Sequence, residues 1–187
     1  CGLGILLTLN NYAIVLGAAS VPLVIAYPLM KRFTHWPQLV LGLTFNWGAL
    51  LGWAAVHGSC DWSVVLPLYA SGVSWTIVYD TIYAHQDTKD DAALGLKSTA
   101  LLMGENTPMI LSGFAVTTVA GMMLAGYNCH LAWPFYVGAA TAGGHLAWQL
   151  RTMNMSQGSN LQARFVSNRW LGALVFGSIV AGKLLAE

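Results

Sequence analysis

The sequence predicts an all-α membrane protein, a bundle of membrane-spanning helices that forms a single domain over residues 1–187. Three observations predict it. Hydrophobic residues make up 56% of the chain. Charged residues make up only 8%, whereas a soluble domain carries about 25%. The charges also leave long uncharged runs, of the length (about 18 residues or more) that is typical of spanning helices. The runs of this length are 1–30, 33–60, 62–79 and 106–150, and a shorter uncharged run covers 170–182.

The composition excludes several classes of protein. So few charges cannot supply the water-facing surface of a soluble enzyme, and so many apolar residues are not typical of a disordered tail. The net charge of +1 gives no basic excess to neutralise phosphates, which excludes a nucleic-acid-binding protein. We therefore expect the lipid bilayer as the surroundings of this chain and no nucleic-acid partner.

Polar and proline-containing breaks divide the apolar sequence into one partial span and six full spans. The breaks are, in chain order, Asn10-Asn11, Lys31-Arg32, Trp36-Pro37, the polar turn 57–61, the polar segment 84–105, Gly126 to His130, and the polar segment 151–168. The predicted full spans are 11–30, 37–56, 62–83, 107–126, 131–150 and 169–185. Each has about 20 residues, enough to cross a hydrocarbon core of roughly 30 Å.

The first residues have the pattern of the last part of a helix. The chain opens at Cys1 and is apolar from Leu3 to Leu9, with no basic segment before it, so it does not have the pattern of a signal peptide. We interpret residues 1–9 as the end of a helix and the chain as a C-terminal fragment.

The basic residues predict how the spans are oriented. If the spans alternate in direction, seven of the eight basic residues lie on one side of the membrane, and Lys183 lies on the other. The seven are Lys31, Arg32, Lys89, Lys97, Arg151, Arg164 and Arg169. This bias follows the positive-inside rule and places nearly all charged chemistry in one compartment.

Acidic residues are concentrated after the third span. Asp80, Asp87 and Asp91 are spaced seven and four apart, so on a helix they fall within roughly 40° of one another. Carboxylates that repel one another need a cation, and hard oxygen ligands suit Mg²⁺. The alternative is a solvated acidic loop balanced by Lys89 and Lys97. Asp80 favours the metal site, because an ionised carboxylate at the end of an apolar span is costly and usually functional.

A basic cluster closes the first span on the same predicted side. Tyr27 and Lys31 share a helix face at a spacing of four, and Arg32 follows. A phenol and two cations can bind an anion, although a basic pair also anchors helix ends by reaching to the membrane surface. Acids suited to a divalent ion beside cations suited to an anion are typical of a site for a diphosphate leaving group.

Two further polar residues are candidate site residues, and each could instead have a purely structural role. Asn46 lies inside a predicted span, where it either contacts substrate or hydrogen-bonds a neighbouring helix. His85 follows the third span, where it is either an acid–base group or a support for the site.

These residues lie in strings that resemble the UbiA superfamily of intramembrane prenyltransferases. The resemblance is strongest to the 4-hydroxybenzoate polyprenyltransferases of ubiquinone biosynthesis, in their mitochondrial form, and covers essentially the whole chain. The matching strings are Tyr27-Pro-Leu-Met-Lys-Arg32, Trp36-Pro-Gln38, Gly42-Leu-Thr-Phe-Asn-Trp-Gly48, Tyr79-Asp-Thr-Ile-Tyr-Ala-His-Gln-Asp87, Asp90-Asp91 and Gly95-Leu-Lys-Ser-Thr-Ala100.

The resemblance implies a bundle of nine helices around a cavity open to lipid, capped by two Asp-rich loops. It implies that polyprenyl diphosphate and 4-hydroxybenzoate are the substrates and that Mg²⁺ is the cofactor. It places Asp87 and Asp91 as metal ligands supported by Asp80, with Asp87, Asp91 and Arg32 as the catalytic group. The implied substrate contacts are Tyr27, Lys31, Arg32, Asn46, Tyr83 and Lys97.

The resemblance also implies a setting for the chain. We expect the mitochondrial inner membrane, an active site facing the matrix, and association with other proteins of ubiquinone biosynthesis. The family's first Asp-rich motif has no counterpart here, since no acid precedes Asp61. We therefore expect this chain alone to be inactive.

Two alternatives remain at this point. One is a prenyltransferase of the same family with another acceptor, such as homogentisate or haem. The other is a cation-coupled transporter, which would place acids near the middle of spans, whereas here they lie at helix ends or in loops.

Overall fold

Apolar runs of this length fold into helices because a helix satisfies its own backbone hydrogen bonds in lipid. A computed structural model describes residues 2–186, and within that range every regular element is helical. The helices are α1 Gly2–Leu6, α2 Asn11–Ala19, α3 Val21–Ala26, α4 Met30–Phe33, α5 Pro37–Phe45, α6 Trp47–His57, α7 Trp62–Ala84, α8 Thr88–Ala93, α9 Thr99–Met103, α10 Thr107–Asn128, α11 Trp133–Thr152 and α12 Gly158–Leu184. Short 3-10 turns lie at Tyr27–Leu29 and Gly104–Asn106.

Each predicted span corresponds to a helical segment. Within residues 2–186, four segments are long and apolar enough to cross a membrane: Asn11–Phe33, Pro37–His57, Thr99–Asn128 and Gly158–Leu184. Helices α7 and α11 have 23 and 20 residues but are less apolar. An all-α membrane bundle is confirmed, and the number of six full spans stays a prediction.

The first two full spans are interrupted, where the sequence predicted continuous helices. Ser20 ends α2, and Pro22 lies in the first turn of α3, where a missing N–H costs least. Asn46 ends α5, and its Nδ2 donates to the carbonyl of Gly42 (2.9 Å) and to Oγ1 of Thr76 on α7 (2.8 Å). This contact stabilises the break by tying it to the neighbouring helix.

The last helix begins earlier than the sequence predicted. Residues 158–168 were expected to belong to a polar connection before a span at 169–185, but α12 starts at Gly158. Leu161, Asn168 and Leu171 are buried on one face of this helix, so the polar residues between them form its other face. As a consequence, Arg169 lies well inside α12 and not at its start.

Helix α7 lies at the centre of the bundle. It packs against α5, α6, α10 and α12, most extensively against α10. Gly121 of α10 makes this close approach possible, because a Cβ there would lie 2.6 Å from the Pro67 carbonyl oxygen. The core joins Val73, Ile77, Val78 and Ile82 of α7 to side chains of α10, α11 and α12, including Leu111, Leu146, Leu161 and Leu171.

Candidate functional site

An ion pair joins the end of α4 to α8. The Lys31 ammonium lies 3.1 Å from Oδ1 and 3.2 Å from Oδ2 of Asp91. The Asp91 side chain is 5% exposed and that of Lys31 is 39% exposed. A carboxylate this buried needs a compensating cation, and Lys31 supplies it from a segment 60 residues away in the sequence.

The three acids of the predicted stripe do not lie on one helix. Helix α7 ends at Ala84, a turn follows, and α8 begins at Thr88 with Asp87 just before it. The stripe geometry was therefore wrong, because it assumed a continuous helix. The acids nevertheless stay in one region. Asp80 has Lys31 and Asp87 as charged neighbours, and the backbone N–H of Asp91 donates to the carbonyl of Asp87 at 2.8 Å.

The predicted anion-binding side chains lie beside these acids. Tyr27 and Arg32 are exposed, and within residues 2–186 the Arg32 guanidinium makes no ion pair or hydrogen bond. Lys97 is tied to the same segment. Its backbone N–H donates to the carbonyl of Lys31 (2.8 Å), and its ammonium donates to the carbonyl of Phe33 (3.3 Å). The structure thus brings Lys97 against α4.

Gln38, which no chemical pattern in the sequence selects, holds the same loop in place. Its Oε1 accepts a hydrogen bond from the Thr99 N–H (3.1 Å), and the Thr99 hydroxyl lies 2.6 Å from that of Thr81 on α7. Gln38 is 3% exposed. A buried amide needs a hydrogen-bond partner, and the Thr99 N–H supplies it. The one signal for Gln38 in the sequence was its place in the family string Trp36-Pro-Gln38.

His85 contacts the start of α10 next to the candidate site. Its ring is buried, and Nε2 lies 2.9 Å from the hydroxyl of Thr107 at the start of α10. Burial lowers the pKa of His85, and Glu105 nearby partly opposes this change. The contact favours the supporting role over the acid–base role.

A cavity of about 450 Å³ lies next to the charged region. Aromatic side chains of Trp75, Tyr79 and Phe165 line it together with Asn46 and Arg169, and Tyr79 directly precedes Asp80.

Two predicted substrate contacts lie at or near this cavity. Asn46 also ties α5 to α7, as the structural alternative for this residue expected. The Tyr83 ring is partly exposed and lies 4.7 Å from that of Phe165, centroid to centroid. Its side chain thus packs one helical turn beyond Tyr79.

The acids fit Mg²⁺ by donor type but do not form a complete ligand set. Among residues 2–186, no group of three His, Cys, Asp or Glu side chains is close enough to hold a metal ion. Mg²⁺ is commonly bound by one or two carboxylates together with waters and substrate phosphates. Asp87 and Asp91, with Asp80 nearby, are compatible with that mode of binding.

The sequence matches a known family. The model of the UbiA prenyltransferase family matches residues 1–180. The chain belongs to this family. It is 57% identical over 182 residues to the mitochondrial 4-hydroxybenzoate polyprenyltransferase of Arabidopsis thaliana and 59% identical over 185 residues to that of Mus musculus. These matches cover 97% and 99% of this chain but 45% and 50% of the relatives. The chain thus spans about half the length of the relatives it matches.

Solved structures support the UbiA fold. A UbiA homolog from Aeropyrum pernix K1 superposes with a TM-score of 0.77 at 22% identity, covering 96% of this chain and 67% of that one. A digeranylgeranylglyceryl phosphate synthase superposes with a TM-score of 0.75 at 13% identity, covering 97% and 64%. At these identities the likeness concerns the fold.

Proposed function

We propose that the full-length protein transfers a polyprenyl group from polyprenyl diphosphate to the aromatic ring of 4-hydroxybenzoate, a step of ubiquinone biosynthesis in the mitochondrial inner membrane. The name of the relatives at 57–59% identity supports the reaction. The observation in the structure that carries it is the meeting of Asp91 with Lys31, beside Arg32 and next to an aromatic-lined cavity. Acids, cations and aromatic side chains in neighbouring positions suit a diphosphate, its prenyl carbon and a ring acceptor.

The basic side chains would bind the leaving group. Arg32 presents a planar fork that matches phosphate oxygens, and Lys31 adds a point charge. Asp87 and Asp91, supported by Asp80, would hold Mg²⁺, which when bound supplies positive charge to offset that of the departing diphosphate. When no metal ion is bound, the Lys31 ammonium compensates the charge of the Asp91 carboxylate. This ion pair lowers the free-energy cost of burying the carboxylate.

The aromatic cavity would position the acceptor. During transfer the prenyl C–O bond breaks with its electron pair leaving on the diphosphate, the ring carbon beside the phenol forms the new C–C bond, and that carbon loses its proton. Trp75, Tyr79 and Phe165 would exclude water from the electron-poor prenyl carbon. The prenyl tail would lie along apolar helix faces open to lipid.

The test is a transfer assay with the full-length protein in lipid vesicles, a prenyl diphosphate and radiolabelled acceptors. We expect labelled prenyl product from 4-hydroxybenzoate and little from homogentisate. Preferential transfer to homogentisate would overturn the acceptor while keeping the reaction class. Absence of transfer to either acceptor, with the protein inserted and folded, would contradict the proposed function.

A further inference from the structure

Arg169 is a cation well inside α12, a helix long and apolar enough to cross a membrane. It is the twelfth residue of α12, about 16 Å along the helix axis from Gly158. A charged side chain within a membrane-crossing helix is usually functional. The sequence had placed Arg169 at the start of the last span, and its position within the helix was visible only once α12 was seen to begin at Gly158.

Among residues 2–186, no acid lines the cavity at Arg169. The side chain is exposed and lines the aromatic cavity, and its guanidinium carbon lies 5.0 Å from the Trp170 ring centroid. Within residues 2–186 it makes no ion pair or hydrogen bond. The other polar residues lining the cavity are neutral: Asn46, Thr76 and Asn168. A guanidinium that lines an aromatic cavity is suited to an anionic ligand.

The two walls of the cavity differ in the charges beside them. On the α7 wall, Tyr79 directly precedes Asp80, so this wall adjoins the acids and cations proposed to hold the diphosphate. Arg169 lies on α12, the helix facing α7 across the cavity. A flat acceptor with a carboxylate at one end could therefore turn the rest of its ring towards the prenyl carbon.

We infer that Arg169 binds the carboxylate of the aromatic acceptor and thereby selects acidic over neutral phenols. This inference rests on the proposed function and adds a residue that determines acceptor specificity. The guanidinium offers two parallel N–H donors to a carboxylate, and the low dielectric of the cavity strengthens the pair. The rings of Trp75, Tyr79 and Phe165 would enclose the acceptor ring.

The experiment compares 4-hydroxybenzoate with its neutral analogue 4-hydroxybenzamide. Full-length wild type, Arg169→Gln and Arg169→Lys are assayed in lipid vesicles for transfer and, separately, for binding of labelled 4-hydroxybenzoate. Arg164→Gln is the matched control, because Arg164 lies on the same helix but stacks on Trp148, 4.0 Å from its ring centroid, and does not line the cavity.

For Arg169→Gln we expect the KM for 4-hydroxybenzoate to rise at least tenfold, which is about 1.4 kcal/mol, and the preference for acid over amide to vanish. The KM for prenyl diphosphate should stay within about twofold. Arg169→Lys should recover part of the preference and Arg164→Gln should keep it. A preference unchanged in Arg169→Gln, an equal loss in Arg164→Gln, or a rise only in the KM for prenyl diphosphate would overturn the inference.

Binding separates this inference from the proposed function. If the wild type binds 4-hydroxybenzoate without transferring a prenyl group, the proposed function is wrong. The inference then stands only if Arg169→Gln loses that binding. If the wild type shows neither binding nor transfer, both proposals are wrong.

Discussion

Lys31 and Asp91, 60 residues apart in the sequence, meet at 3.1 Å and tie the end of α4 to α8. The two partners differ in burial, because Asp91 is nearly inaccessible while the Lys31 ammonium reaches the surface. The pair therefore links the segment proposed to bind diphosphate to the segment proposed to bind metal. Because the burial differs, removing Lys31 and removing Asp91 should change the stability of the protein by different amounts.

The first prediction concerns this inequality. Lys31→Met leaves a buried carboxylate without its cation, whereas Asp91→Asn leaves a lysine that can turn to water. We expect Lys31→Met to lower the free energy of unfolding by about 1–2 kcal/mol, below the ~3–5 kcal/mol of a fully buried pair because Lys31 is 39% exposed. Asp91→Asn should cost less.

Thermal unfolding of the purified variants in detergent measures this. The double variant Lys31→Met, Asp91→Asn should recover most of the loss caused by Lys31→Met alone. If the single lysine variant is as stable as wild type, the ion pair contributes nothing and its proposed role in holding Asp91 is wrong.

The second prediction concerns activity. Asp91→Asn should lower prenyl transfer by about 100-fold, because a neutral amide is a poor replacement for a metal-binding carboxylate. Asp90→Asn is the matched control, since Asp90 is adjacent but exposed and makes no ion pair among residues 2–186. Transfer rates in vesicles, normalised to inserted protein, measure both. Equal losses in the two variants would argue against a specific role for Asp91.

The third prediction concerns Arg32. Arg32→Ala should raise the KM for prenyl diphosphate about tenfold, because a charge-assisted hydrogen bond is lost. Arg32→Lys should recover only part of it, since a point charge does not reproduce a bidentate fork. Initial rates over a range of prenyl diphosphate concentrations give both values. Full recovery by lysine would favour the alternative, in which Arg32 only anchors the helix end.

The fourth prediction concerns packing around α7. At Gly121 a Cβ would lie 2.6 Å from the Pro67 carbonyl oxygen and 2.9 Å from Cβ of Ser71, and backbone cannot move aside easily. Gly121→Val should therefore destabilise the fold by about 1–3 kcal/mol. Gly113→Val on the same helix is the control, since nothing lies within 4 Å of its Cβ position. The melting temperature should fall for the first variant only, and equal melting temperatures would show that the α7–α10 contact is looser than described.

The sequence predicted the elements whose signals are local. Helix α7 was predicted at 62–83 and is found at Trp62–Ala84, because Asp61 caps its start and a polar segment follows its end. The break at Asn46 was not predictable, since it depends on Thr76 of another helix. The start of α12 was missed because a polar helix face and a polar loop have the same composition.

The sequence proposed residues for the candidate site but could not predict which of them pair. Local spacing and family strings selected Lys31 and Asp91, yet nothing local indicates that residues 60 apart contact each other. Arg169 was placed at the start of the last helix because its position within that helix depends on where α12 begins. Gln38 carried no chemical signal, because its function is to satisfy the Thr99 N–H in the folded loop.

The central claim is that Asp87 and Asp91 hold the metal ion on which prenyl transfer depends. Its most direct test is transfer of a prenyl group to labelled 4-hydroxybenzoate by the full-length protein, measured after removal of divalent ions and again after addition of Mg²⁺. Wild type should lose transfer and regain it, whereas Asp87→Asn, Asp91→Asn should not regain it at any Mg²⁺ concentration tested. Transfer by wild type that survives removal of divalent ions, or recovery by the double variant to wild-type rates, would contradict the claim.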